Sequence, residues 1–234
     1  MQEKTDVIIV GAGSGTRLGH TTPKAFVRLA GKPILYYSVS AFVSSPLVSS
    51  VILVVPSTMK DQTETFLNHF PQLGTKTTVT AGGDERWKSV RNGVAVSSAE
   101  WVMVHDAARP FVSQAIINSV LEKRTQFQSV ITATPEVDTI RTFQGDKTGK
   151  TVDRTTLLRV GTPQLFRREL LMNAFVKASQ MVPPPTDEAA LIEMEGITVG
   201  FSWGDPLNFK ITTPSDLLIA EALLERDPEM LLGR

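Results

Sequence analysis

The chain has 234 residues, 41% hydrophobic and 21% charged, the make-up of an ordinary globular protein of one large domain or two small ones. Its 24 basic residues balance 24 acidic ones, so there is no basic excess for a nucleic-acid or anionic-membrane surface, and any anion site must be a local gathering of cations. It has no cysteine, which excludes disulfides, thiolate catalysis and cysteine-based zinc sites, and no apolar run nears the roughly 20 residues of a membrane helix.

The start, Met1 to Asp6, is polar and does not read as a secretory signal, so a soluble cytoplasmic protein is expected. Val7-Ile8-Ile9-Val10 follows as a buried parallel strand. It opens into Gly11-Ala12-Gly13-Ser14-Gly15-Thr16-Arg17, with Lys24 shortly after. Glycines at 11, 13 and 15 let the backbone turn sharply and approach a ligand closely. Amides in such a turn can form an anion-binding concavity, and Arg17 and Lys24 add two cations. A plain strand-to-helix turn with surface cations is the other reading. A P-loop is excluded because no Gly-Lys pair sits in this stretch, and a dinucleotide loop because Thr16 stands where glycine is needed.

Ala25 to Leu29 reads as a short strand, and Gly31-Lys32-Pro33 starts a helix to about Val43. Val51 to Val55 is a second buried strand stopped by Pro56, and Ser57 can cap a helix reaching Phe70. Lys76 to Thr80, a third strand, leads into the turn Ala81-Gly82-Gly83-Asp84-Glu85-Arg86 and a helix through Val90 and Val94. Trp101 to His105 is a fourth strand ending in Asp106-Ala107-Ala108-Arg109-Pro110. A helix from Ser113 to about Gln126 and a strand from Ser129 to Thr134 continue the alternation. This rhythm predicts an α/β fold with a doubly wound, mostly parallel sheet in one domain spanning residues 1–234.

The rhythm then breaks. Val137 to Phe143 and Thr151 to Arg154, around the turn Gly145 to Gly149, predict a β-hairpin arm over residues 137–156. With little apolar content of its own, the arm is expected to pack on a second copy of the chain, or else to stand as a solvated hairpin. A helix from Arg167 to Ser179, the turn Pro183-Pro184-Pro185 and a helix from Asp187 to Glu195 come next. Strands near Ile197–Trp203 and Phe209–Thr212 and a helix from Pro214 complete the chain.

Ligands of open α/β sheets bind outside the carboxyl ends of the strands, and the polar clusters fall there. Asp106 ends a strand and is a candidate Mg²⁺ ligand, or a cap for the following turn. Arg109, Arg154 and Lys210 lie at element ends, and together would suit a second, phosphate-bearing substrate. His20, His69 and His105 share no metal-ligand spacing, and His105 reads as structural.

These motifs resemble the 2-C-methyl-D-erythritol 4-phosphate cytidylyltransferase family nearly end to end. The resemblance rests on Ala12 to Arg17, Pro23-Lys24, Gly82 to Arg86 with Ser89-Val90, and Val104 to Pro110. It continues through Thr151 to Arg154, Thr162-Pro163-Gln164, Thr186 to Ala189 and Asn208 to Thr212. It implies a Rossmann-like nucleotidyltransferase that passes a cytidylyl group from CTP to a sugar-alcohol phosphate, with Mg²⁺ as cofactor. Arg17 and Lys24 match the cations that clamp the triphosphate. Gly11, Ala12, Gly13, Ser14 and Gly15, with Gly83, Asp84, Ser89 and Ala107, match the nucleotide-binding positions. Asp106 matches the metal ligand and contacts the acceptor side together with Arg109, Thr139, Thr162, Thr186 and Lys210. Arg154 matches a residue that reaches across a homodimer from the hairpin arm, and with Lys210 would align the nucleophilic phosphate.

The sequence departs from the family at two places. Gly11 stands where alanine is common, and Leu207 where many members carry an acidic residue, so that Asp106 serves the metal alone or Asp205 substitutes. A ribitol 5-phosphate cytidylyltransferase and a non-catalytic nucleotide-binding module are the alternative readings. A plastid location would apply to a plastid-bearing source.

Overall fold

The computed structural model describes residues 3–13, 22–178 and 187–227. Strand β1 (Thr5–Val10) enters the glycine-rich stretch, of which 11–13 are described. Ser14, Gly15, Thr16, Arg17, His20, Ser179, the three prolines at 183–185 and Thr186 lie outside the described residues. A 3₁₀ turn at Lys24–Phe26 precedes the two-residue strands β2 (Arg28–Leu29) and β3 (Lys32–Pro33), so the strand expected over Ala25 to Leu29 is half turn. Helix α1 (Ile34–Val43) is followed by β4 (Ser50–Val55), α2 (Lys60–Asn68), α3 (Pro71–Gly74), β5 (Thr77–Ala81) and α4 (Arg86–Val96). Ser57 opens a separate 3₁₀ turn and makes no side-chain cap, because α2 starts two residues later than expected, at Lys60.

Strand β6 (Trp101–Asp106) leads to α5 (Gln114–Glu122), where Ser113 caps as expected by accepting the Ile116 N–H. Strand β7 (Ser129–Pro135) runs into the arm, β8 (Ile140–Gln144) and β9 (Lys147–Val152), whose turn is tighter than expected. Gln144 pairs with Lys147 across Gly145 and Asp146, and Gly145 takes a φ of 54° that a side chain would resist. Strand β10 (Leu158–Arg167), α6 (Arg168–Ala178), α7 (Glu188–Met194), β11 (Gly200–Trp203) and α8 (Pro214–Arg226) complete the fold. The segment Phe209–Thr212 is not a strand. Its Ile211 N–H bonds the Ala108 carbonyl at 2.9 Å, so it is tied to the turn after β6 rather than to a sheet edge.

The main sheet has the order β11-β7-β10-β6-β1-β4-β5. All its pairings are parallel except those of β10, which runs antiparallel to both β6 and β7. The arm explains the exception: the chain leaves β7, turns through β8 and β9 and returns directly, with no crossover helix to restore direction. Side chains of β1 alternate between two buried layers. Val7 and Ile9 join α1 and α5 on one face, and Ile8 joins α4 and α6 on the other. The chain moves from β1 outward through β4 and β5, then crosses to β6 on the other side of β1. That reversal leaves a crevice at the carboxyl ends of β1 and β6.

Helix α4 lies against this sheet so closely that a Cβ at Gly93 would strike Ile8 and stand 2.9 Å from Val54 Cγ2. Glycine inside a helix normally costs about 0.5–1 kcal/mol relative to alanine. Here the overpacking penalty of about 1–3 kcal/mol should outweigh that gain. Gly93→Ala is therefore expected to lower the midpoint of denaturant unfolding at unchanged slope, whereas a raised midpoint would contradict this close packing.

Candidate active site

The crevice is a cleft of about 510 Å³ walled by the expected strand-end clusters. Gly11, Ala12 and Gly13 continue β1, with the Gly11 N–H on the Val54 carbonyl at 2.7 Å. Lys24 comes from the 3₁₀ turn, and Gly83, Asp84 and Ser89 from the second glycine turn and α4. Ala107 and Asp106 come from the end of β6, and Lys210 from the segment before α8. A Cβ on Gly82 would stand 2.5 Å from Ala12 Cβ and 2.8 Å from Ser89 Oγ, so the two glycine turns meet only because this residue has none. Ser89 is buried, and its Oγ accepts the Gly83 N–H at 3.0 Å and donates to the Glu85 carbonyl at 3.1 Å. Its hydroxyl thereby fixes the shape of the second turn.

Asp106 lies at the floor of the cleft among three cations. Lys210 Nζ is 2.9 Å from Oδ2, Arg86 Nη2 is 3.4 Å from Oδ1, and Arg109 Nε is 3.6 Å from Oδ2. Burial alone would push the carboxyl up, but Arg86, Lys210 and Arg109 together hold it well below the usual carboxylate range. Arg86 is held in turn by Glu188, both of whose oxygens lie 2.8 Å from Nη1. Burial opposes the charge on Arg86, yet Glu188 and Asp106 raise its pKa and keep it ionised. Neither Arg86 nor Glu188 was assigned a role from sequence. Each sits inside a quoted motif, but no local spacing signals a contact between residues so far apart in the chain.

A second cleft of about 280 Å³ adjoins the first, and Lys210 lines both. Arg109 enters this second cleft, beside Arg159, which the sequence reading did not single out. Arg109 also donates from Nη1 to the Asn208 carbonyl at 2.9 Å. Asp205 lines the same cleft, but its carboxylate is engaged by the Leu207 N–H at 2.8 Å. Thr162 lines neither cleft: only 4% exposed, it lies behind Asp106. Thr139 and Arg154 are exposed on the arm outside both clefts, where Arg154 Nη1 donates to the Val137 carbonyl. Of the expected site residues, Ser14, Gly15, Arg17 and Thr186 lie outside the described residues.

His105 is fully buried, as a structural histidine should be, and packs edge-on against Phe42. Its Nε2 faces the Arg109 carbonyl at 3.1 Å and must carry the proton there. Its Nδ1 therefore accepts from the Thr162 hydroxyl, also at 3.1 Å. Burial outweighs the neighbouring carbonyl and Asp106, lowering its pKa to about 4.

Among the described residues no three His, Cys, Asp or Glu side chains gather as a metal cage. Mg²⁺ asks for less where phosphates are present, since it binds through one or two carboxylates, substrate oxygens and water. Asp106 fits that role because it is held ionised, and among the described residues Oδ1 has only the long contact to Arg86.

Comparisons with known proteins agree with this geometry. A model of the 2-C-methyl-D-erythritol 4-phosphate cytidylyltransferase family matches residues 5–226. The protein of that name from Rhodococcus jostii is 41% identical over 222 residues, covering 93% of this chain and 94% of its own. The crystal structure of the Thermus thermophilus protein of the same name is 30% identical, with a TM-score of 0.77 over 93% of this chain and 98% of that one. A 4-diphosphocytidyl-2C-methyl-D-erythritol synthase from Anaerococcus prevotii is 25% identical, with a TM-score of 0.84 over 97% of this chain and all of its own.

The buried imidazole makes stability depend on pH. In the unfolded chain it takes up a proton near pH 6.5, in the folded chain only near about 4. Stability should therefore fall as pH drops from 6.5 to 4, by on the order of 3 kcal/mol from this group, and the loss should be complete below that. Denaturant unfolding of wild type and His105→Asn across this range tests it. The variant should lack that part of the decline, and parallel curves would contradict a neutral buried His105.

Proposed function

This chain belongs to the 2-C-methyl-D-erythritol 4-phosphate cytidylyltransferase family, and from that membership we propose that it transfers the cytidylyl group of CTP to 2-C-methyl-D-erythritol 4-phosphate. The products are 4-diphosphocytidyl-2-C-methyl-D-erythritol and pyrophosphate. The observation that carries this reading is Lys210. It lines both the glycine-walled cleft and the Arg109 cleft, where one ammonium can touch two phosphates at once.

In this reading the triphosphate lies along Gly11 to Gly13, with Lys24 and Arg17 as its counter-charges and the base against Gly83, Asp84 and Ser89. The acceptor lies in the second cleft with its phosphate on Lys210 and Arg109. An acceptor phosphate oxygen attacks the α-phosphorus as the bond to the β-phosphate oxygen breaks, and pyrophosphate leaves with that electron pair. The nucleophile is already anionic at neutral pH, so no general base is required. Charge that develops on the α-phosphate is stabilised by fixed cations in a partly dry cleft. Mg²⁺, held by Asp106 and phosphate oxygens, would neutralise further phosphate charge. Arg154 and Thr139 complete the acceptor side from the arm of a second copy. That assignment is supported by an arm that buries almost nothing on its own chain, with Phe143 82% exposed. No helix among the described residues is long and apolar enough to cross a membrane, and a cytoplasmic location follows from this activity on small phosphorylated metabolites.

Pyrophosphate release with CTP and either 2-C-methyl-D-erythritol 4-phosphate or ribitol 5-phosphate tests the assignment. Turnover is expected with the former, and turnover with ribitol 5-phosphate alone would overturn it. Lys210→Ala should lower kcat by about 10²–10³. Sedimentation should give a dimer, and a monomer at working concentration would remove Arg154 from the site.

A further inference from the structure

The polar groups behind Asp106 form a closed ring. The Asp106 N–H donates to Thr162 Oγ1 at 3.1 Å, and the Thr162 hydroxyl donates to His105 Nδ1 at 3.1 Å. His105 Nε2 donates to the Arg109 carbonyl at 3.1 Å, and Arg109 Nη1 to the Asn208 carbonyl at 2.9 Å. Asn208 Nδ2 closes the ring on the Thr162 carbonyl at 2.8 Å. Every member except Arg109 is at least nine-tenths buried, so water is a poor substitute for a lost bond. Asp106, Arg109 and, two residues beyond Asn208, Lys210 all project from this ring into the two clefts.

We propose that Thr162 and His105 are a positioning pair that sets Asp106 and Arg109 at the reaction centre, and that the Thr162 hydroxyl does not touch substrate. The hydroxyl hydrogen is committed to His105, its oxygen takes the Asp106 N–H, and the side chain lines neither cleft. Thr162 replaces a backbone partner for Asp106 at the point where β6 ends. It does so from β10, the one strand of the main sheet that runs against its neighbours. The inference rests on the cytidylyltransferase reading of the clefts. The residues that hold a ligand-bearing side chain in place typically affect function about 10–100-fold when replaced.

Steady-state kinetics of Thr162→Val, Thr162→Ser and His105→Asn, beside wild type, test the pair. Inactivity of the wild type would sink the cytidylyltransferase reading itself, and is distinguished from failure of the pair by needing no variant to be seen. Thr162→Val should lower kcat about 10–100-fold, and Thr162→Ser, which keeps the hydroxyl, should restore most of the rate. The Thr162→Val, His105→Asn double variant should lose less than the product of the two single losses, since the Thr162–His105 bond is removed in both while each single variant also breaks one bond of its own. A loss in Thr162→Val that His105→Asn does not share would identify Thr162 as a substrate contact and overturn the proposal. So would additive losses in the double variant, or losses that only track the folded fraction in melting curves. Should Thr162→Val not fold, His105→Asn carries the same test: a reduced kcat in the folded variant supports the pair, and an unchanged kcat overturns it.

Discussion

One carboxylate surrounded by three cations governs how this site is built. Asp106 is buried, and a buried charge is tolerated only where partners replace the water it has lost. Arg86, Lys210 and Arg109 do this from three separate parts of the chain, and without Asp106 they would face one another. The dependence is mutual. Removing one member of such a cluster costs more than the cluster contributes as a whole, because the remaining charges are left unpaired. Glu188 extends the balance on the Arg86 side, so α7 is tied electrostatically to the end of β6. The result is a local gathering of cations around one carboxylate in a chain of zero net charge.

That arrangement suits phosphoryl chemistry and little else. A nucleophile that is already an anion needs a fixed positive field, and a proton acceptor in the cleft would serve no step. The histidine nearest the centre is buried, neutral and bonded at both ring nitrogens within the protein. It cannot take a proton from substrate, but it can hold the backbone from which Asp106 and Arg109 project.

The architecture was largely legible in the sequence because it follows from alternation. Apolar runs such as Val51 to Val55 can only be buried strands, and turns with glycine or aspartate at their carboxyl ends then fall on one edge of the sheet. Strand β10 escaped that reading. Gly161 and Pro163 argue against a central strand, and their cost is absorbed by a register shift between Gly161 and Leu165. The Arg86–Glu188 pair and the ring behind Asp106 escaped for a different reason. They depend on which segments meet in space, and a single sequence carries no mark of a contact between Thr162 and His105. Thr162 was drawn in through a motif, as a substrate residue. In the structure its hydroxyl donates to His105 and accepts the Asp106 N–H.

The arm gives the remaining constraint. Because β7 and β10 are joined through β8 and β9, the same excursion that reverses the chain direction also carries Thr139 and Arg154 away from both clefts. A hairpin of two strands has too little apolar surface to be stable alone, and this one exposes Phe143 and Val137. In the proposed dimer, a second copy of the chain would both bury the arm and complete the acceptor site. On that account the reversed strand β10 has two tasks. It supplies Thr162 behind Asp106 of its own cleft, and in the proposed dimer its connection to β7 would extend the arm toward the partner's.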